Sequence, residues 1–203
     1  MSLSTNAIPK RNQTGDSILV LHGQAQWYAG QTCSRHEKSV TKQMDRLGIE
    51  NFLPCYEKIS RWKDRRVRLR LPLFPGYVFV RIALKDQLKV LQVPGIVRLV
   101  SFSGHPTAIP EQEILGLKRG LSSGVSVKPY PYLKAGQLVV VRSGPLAGLS
   151  GQLVRRKLKD RIVISLDSIM QSFIAEVSLD DIEIIQESRT SLAARRELSE
   201  SRF

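Results

Sequence analysis

The sequence has little with which to build an active site. Its 203 residues include three histidines and two cysteines. Cys33 and Cys55 form no C-x-x-C pair, which argues against a zinc ribbon and against a disulfide framework. His22, His36 and His105 stand in no metal-ligand spacing, and no phosphate-binding loop or G-x-G-x-x-G follows a strand. Cys55 with His36 is the one nucleophile–base combination these residues offer, and a half-buried structural thiol is the commoner state of such a cysteine. The expectation is therefore a protein that is not an enzyme, with no metal and no cofactor.

Long apolar runs are missing too. No segment approaches the ~20 apolar residues of a membrane span, and Ile18 to Leu21 is too short for a secretory core. A soluble protein of a reducing cytoplasm, without a membrane partner, is the expectation. Acid is in short supply: 31 Lys+Arg against 18 Asp+Glu leave a net charge of +13. Such an excess favours a polyanionic partner or a nucleoprotein machine over an uncharged one.

What is present divides into two parts. Residues 1–25 are polar and read as a disordered tail. From Trp27 a short strand leads into a helix over Ser34 to Leu47, with Ser34 as N-cap, Glu37 at the third helical position, a capping-box spacing, and Gly48 as the stop. At ~100° per residue Val40, Met44 and Leu47 share one side of this helix, and Arg35, Lys38, Lys42 and Arg46 share the other. That basic stripe is either a solvated face or an anion-facing one. Asn51 to Trp62 reads as a strand and Arg66 to Leu71 as its return, with Lys63 to Arg65 at the tip. Lys58 to Arg70 contains seven basic residues and one acid, Asp64, in what reads as a protruding cationic hairpin. Gly76 to Ile82 is aromatic and β-branched and reads as a central strand. Leu84, Leu88 and Leu91 mark a helix ended by Pro94-Gly95, Ile96 to Phe102 a strand, and Pro110 the start of a helix with Ile114, Leu117 and Leu121 on its apolar face.

Composition then shifts. Ser122 to Gly136 is rich in Ser, Gly and Pro and reads as a linker. Five short strands between Gln137 and Ile185 suggest a small closed barrel. Residues 1–25, 26–121, 122–134, 135–186 and 187–203 are thus expected to be tail, first domain, linker, barrel and tail. The fold class is α+β: a sheet with flanking helices, followed by a small SH3-like β-barrel.

The motif "VVVRSGPLAGLSGQLV", Val139 to Val154, sets a strand, Gly144-Pro145, Gly148, Gly151 and a second strand in series, with Leu146 and Leu149 placed to cap the barrel end. It resembles the KOW motif, although any small barrel with a glycine-rich hairpin has some of these features. "WYAGQTCSRHEKSV", "PLFPGYVFV" and "VPGIVRLVSFSGHPTAIP" resemble three segments of the N-terminal (NGN) domain of the NusG family. Together the resemblance covers residues 27 to 185, with both domains in the family's order. It implies a non-enzymatic, monomeric transcription elongation or antitermination factor, closest to the specialised RfaH-like and UpxY-like members. Its first domain would bind the clamp helices of RNA polymerase through Gln31, Phe74, Pro75, Tyr77 and Phe79. Phe74 and Pro75 are the expected exposed contacts, Phe74 pointing either at the polymerase or into its own core.

The resemblance further implies contact with upstream or non-template DNA, for which Arg35, Lys38, Lys42 and Arg46 are the candidates, while Arg61, Lys63, Arg65 and Arg66 of the hairpin are candidates for binding nucleic acid of either kind. The barrel would recruit a ribosomal protein or the termination factor Rho, with Ile169 and Met170 as candidate contacts. Two departures stand out: "IMQS" (Ile169 to Ser172) replaces the housekeeping "IFGR" loop, and "KDQLKV" (Lys85 to Val90) replaces the His-Thr-Thr run of RfaH-like proteins. The other function open to the residues is a ribosome-associated RNA-binding protein built on the barrel and the cationic hairpin.

Overall fold

The computed structural model of the protein describes residues 23–62, 65–131, 137–156 and 159–185. The expected tails, 1–25 for all but its last three residues and 187–203, lie outside them, as do Lys63, Asp64 and residues 132–134 of the expected linker. Among the described residues, no helix is long and apolar enough to cross a membrane.

The N-terminal half is built on an antiparallel sheet. Strand β1 (Gln26–Thr32) lies between β5 (Tyr77–Ile82) and β6 (Ile96–Leu99), β2 (Glu50–Phe52) flanks β5, and the short β9 (Ala108–Ile109) also pairs with β1. The apolar run of β5 is thus central, as expected. Val78, Phe79 and Val80 are all fully buried because both sheet faces are covered. Tyr28, Val78 and Val80 share one face with Val40 and Met44 of helix α1 (Glu37–Arg46). Trp27, Ala29 and Phe79 share the other with Ile114 and Leu117 of the third helix.

Several local expectations change. Helix α1 starts at Glu37 behind His36, with no side-chain cap. Arg35 sits at φ 64, so the chain turns left-handed where a capping box needs Ser34 near the helix start. Leu47 is 62% exposed, and Ile49, beyond the glycine turn, takes the core position instead. Pro54 splits the expected second strand into β2 and β3 (Cys55–Trp62). The leucines spaced for a helix meet a 3-10 turn, Leu84–Asp86, and a short α2 (Gln87–Leu91). That phase buries Val90 and leaves Leu88 exposed.

Strand β3 pairs along its whole length with β4 (Arg65–Pro72) as a separate two-stranded ribbon. A second small ribbon joins β7 (Ser101–Phe102) to β8 (His105–Pro106). Helix α3 (Glu111–Ser122) follows Pro110 and buries Ile114 and Leu117 as expected, together with Gly116 and Gly120.

The C-terminal sheet is antiparallel and six-stranded, in the order β10-β14-β13-β12-β11-β15. Its members are β10 (Val127–Tyr130), β11 (Gln137–Val141), β12 (Ser150–Arg156), β13 (Lys159–Leu166), β14 (Gln171–Glu176) and β15 (Ile182–Ile184). It is compatible with the small barrel. The five strands read from the sequence are joined by one more. Val127 to Tyr130, read as linker, pairs residue for residue with β14 from Ala175 to Ser172. The glycine loop between β11 and β12 needs two of its glycines for left-handed turns, Gly144 at φ 77 and Gly148 at φ 88. Gly151 is needed for space: a Cβ there would sit 2.5 Å from the Val163 carbonyl oxygen.

Leu146 and Leu149 do not simply close the end of this sheet. They enter notches on α3, where a Cβ on Gly120 would lie 2.4 Å from Leu146 and one on Gly116 2.7 Å from Leu149. Arg119 donates to the Ala147 carbonyl at 2.8 Å beside them. Buried residues of both halves therefore form one continuous apolar cluster.

Candidate functional site

The corner from Leu73 to Gly76 is fixed through its backbone. Leu73 N–H donates to Pro54 O at 2.8 Å, Thr32 N–H to Gly76 O at 2.8 Å, and Tyr77 N–H to Phe74 O at 3.2 Å. Gly76, at φ 82, turns where a side chain would be strained. Its N–H donates to Glu37 Oε1 at 2.7 Å. Glu37 is buried, so this charge-assisted bond ties the start of α1 to the turn. The capping-box spacing hid that role: the carboxylate reaches another segment rather than its own helix end.

The aromatic residues split by exposure. Pro75 is exposed and Tyr77 half-buried. Phe74, expected as an exposed contact, is only 1% exposed. It meets Phe79 edge-on at 5.8 Å between ring centroids and Phe173 of β14 edge-on at 6.0 Å. Phe79 is buried in turn and stacks with Phe52 at 6.2 Å. Phe74 thus points into a core that the C-terminal sheet completes, a contact that local sequence cannot reveal. Gln31 lies opposite both Tyr77 and Arg98 across three strands, and its Oε1 accepts from Arg98 Nε at 2.8 Å. Pro75, Tyr77, Gln31 and Arg98 form the accessible rim of the site, and Phe74 and Phe79 its covered floor.

The basic residues are distributed differently from the sequence expectation. Arg35, Lys38, Lys42 and Arg46 are exposed on or beside α1. Lys38 Nζ donates to the Arg70 carbonyl at 2.7 Å and so joins the helix to the foot of the hairpin. In the β3–β4 ribbon Arg61 pairs with Arg66, Ile59 with Arg68, and Glu57 with Arg70, so these residues share one face. Arg65 belongs to the opposite face, with Lys58 and Tyr56. Arg68 and Arg70 were missed as candidates, although the alternation from Arg66 to Leu71 carried the signal. Cys55, at the foot of this ribbon, has its thiol pushed up by burial, against the pull of nearby Arg70 and Lys38. That favours a neutral thiol over a nucleophile.

At the far end of the C-terminal half, Ile169 and Met170 part company. Ile169 is buried in this arrangement, unlike the exposed contact expected of it. Met170 stands 62% exposed in a left-handed turn at φ 49. Where α3 meets the C-terminal sheet, Glu113 lines a cleft with Gln112, Ser150, Gln152 and Asp167. Burial, with Asp167 facing it, pushes the Glu113 carboxyl up to about 7.

Comparison with known proteins completes the picture. The family model described as "Transcription termination factor nusG" matches residues 25–118. Among curated proteins, the Helicobacter pylori (strain J99) transcription termination/antitermination protein NusG is 27% identical over 155 residues, covering 68% of this chain and 88% of that protein. The protein of that name from Staphylococcus aureus (strain Mu50) is 25% identical over 177 residues, covering 79% and 96%. A solved structure of Thermotoga maritima NusG superposes with a TM-score of 0.52 at 22% identity, covering 81% of this chain and 99% of that one. Sequence matches spanning both halves and a shared mixed fold of helix and sheet agree in what the chain resembles: it is similar to the NusG proteins in sequence and shares their fold.

Proposed function

We propose that this chain is a cytoplasmic transcription elongation and antitermination factor that docks on RNA polymerase through the rim and floor around Pro75. The observation that carries this reading is the corner itself. Its backbone is held by bonds to β1, α1 and Pro54, the residue before β3, so an exposed proline and a tyrosine are presented with little ordering cost. The relatives bear the name of transcription termination/antitermination proteins. The resemblance of the corner implies the polymerase clamp helices as its target. A helical tip is an apt occupant, because aromatic and proline surfaces give large contact area with little side-chain entropy to lose.

The packing adds a condition. Phe74 and Phe79 join the contact only when the C-terminal sheet moves off, because Phe173 covers Phe74. Met170, already exposed in the packed arrangement, is offered to a further partner, of the ribosomal-protein or Rho kind. Binding of the full-length chain to purified RNA polymerase tests the assignment. Pro75→Glu leaves the core untouched and is expected to weaken binding by about tenfold or more, the loss of an interface hot spot. Unchanged affinity would place the docking surface elsewhere on the chain.

A further inference from the structure

A cleft of about 770 Å³ lies where the two halves meet. Its walls are the end of β2, the foot of the β3–β4 ribbon, the C-terminal half of α3 and strand β10. Phe52 and Tyr56, both half-buried, supply aromatic wall. Its charged lining is drawn from three elements: Glu57 and Arg70 on the ribbon, Lys118 on α3 and Lys128 on β10. Three cations against one carboxylate leave an excess of two positive charges. Among the described residues, no ion pair engages Glu57, Arg70 or Lys128. Lys118 has a carboxylate at 3.8 Å, that of Glu50, which also faces Arg81 at 3.4 Å. Its ammonium stands 4.4 Å from the Trp27 ring centroid and 5.3 Å from that of Phe52. Arg70 is turned to the cleft wall, where its guanidinium bonds the Cys55 thiol. Like charges gathered in a partly enclosed hollow repel, and an anion entering it would relieve them.

We propose that this cleft binds a free nucleotide, with its base against Phe52 and Tyr56 and its phosphate among Arg70, Lys118 and Lys128. The volume is that of an ordinary small-molecule site, about 300–1,000 Å³, and such sites favour domain junctions and combine an apolar wall with a few polar groups. A phosphate monoester carries about −1.5 to −2 charges at neutral pH, which the two excess cations match. A single carboxylate would leave one of them unmet. The guanidinium fork and the two ammonium groups suit phosphate oxygens, and an aromatic wall accepts the flat face of any base. The cations surround a hollow and come from separate elements, an arrangement for one nucleotide rather than for a strand. Lys128 belongs to the C-terminal sheet, and Arg70 and Lys118 to the N-terminal half. The nucleotide therefore binds the packed arrangement and, at a hundred times its Kd, favours packing about a hundredfold more. By keeping Phe74 covered it opposes docking on polymerase. That consequence rests on the proposed function, whereas the binding does not.

Isothermal titration calorimetry of the full-length chain with adenosine and guanosine monophosphates tests this without polymerase. At least one of them is expected to bind about tenfold or more tighter than its nucleoside or inorganic phosphate, because only the nucleotide fills both parts of the cleft. Arg70→Gln and Lys128→Gln, both at exposed positions, are each expected to weaken that binding about tenfold, the loss of one charge-assisted bond. Lys89→Gln, which removes a charge outside the cleft lining, leaves it unchanged. Alkylation rates locate the ligand without any substitution. A saturating nucleotide is expected to slow modification of Cys55, which lines the cleft, and to leave that of the exposed Cys33 unaltered. Nucleotide affinity no better than that of phosphate, equal losses from Lys89→Gln and Lys128→Gln, or an unprotected Cys55 would overturn the assignment. Tighter binding of a mixed-sequence oligonucleotide than of either monophosphate would overturn the choice of a free nucleotide. Failure of this binding leaves docking at Pro75 untouched, and unchanged polymerase affinity in Pro75→Glu leaves the cleft untouched.

Discussion

The β3–β4 ribbon and strand β5 are adjacent in sequence, joined by the Pro72–Gly76 corner, and are held in opposite ways. Strand β5 is covered on both faces and pinned at its start, and every one of its apolar side chains from Val78 to Val80 is buried. The ribbon makes a sheet only with itself, and its arginine face is open to solvent. The difference separates residues that hold the fold from residues the fold does not need. Buried aromatics in β5 are explained by packing. Exposed arginines opposed to one another are not explained by packing.

The contrast can be broken most sharply at Phe79. Phe79→Ala is expected to lower stability by about 3–5 kcal/mol, read by chemical denaturation. Ile59→Ala on the ribbon should change it by about 0.5 kcal/mol at most. Similar values at the two positions would mean that the ribbon belongs to the core.

A smaller effect is expected where the halves meet. Gly116→Leu places a side chain where Leu149 already sits. Overpacking of this kind costs about 1–3 kcal/mol, and here it can be relieved by parting α3 from the C-terminal sheet. Small-angle scattering should then show a larger radius of gyration with the far-ultraviolet dichroism little changed. An unaltered radius would show that the loop around Leu149 yields instead.

The gentlest test uses pH. Glu113 has its carboxyl raised by the packed arrangement to about 7, so packing binds a proton more readily than the free helix does. Contact between α3 and the C-terminal sheet is therefore fully favoured below the ordinary glutamate range near 4.5 and weakens as pH rises toward about 7. Scattering or interdomain energy transfer across that range should follow this trend, and Glu113→Gln should flatten it. A trend in the opposite direction would mean that Glu113 is better solvated in the packed state than in the free one.

Much of this architecture was legible locally. Val40 and Met44, the central place of β5, the glycine loop and the helix after Pro110 all follow from periodicity and turn chemistry. The rest depended on distant residues. Phe74 reads as exposed until Phe173 is placed against it. Ser34 and Glu37 have the spacing of a cap, yet Glu37 is drawn to Gly76 across the fold. Val127 to Tyr130 has a linker's composition and becomes a strand only because β14 offers an unpaired edge. Ile169 and Met170 look alike as neighbours, and a 3-10 turn followed by a left-handed residue sends one inward and the other out. For the arginines the pattern was visible, but the cross-strand pairing was needed to show which of them share a face.

The two notches on α3 have a further consequence. Glycine in mid-helix weakens a helix by about 1 kcal/mol relative to alanine, and α3 carries two, one turn apart, under Leu149 and Leu146. The leucines return the burial that the missing side chains forgo. Helix and loop therefore complete each other, and whatever draws the C-terminal sheet away leaves α3 less firmly wound. Departure of one half is then felt inside the other as a softened helix beneath Trp27, which would carry word of that departure to the sheet that bears the Pro75 corner.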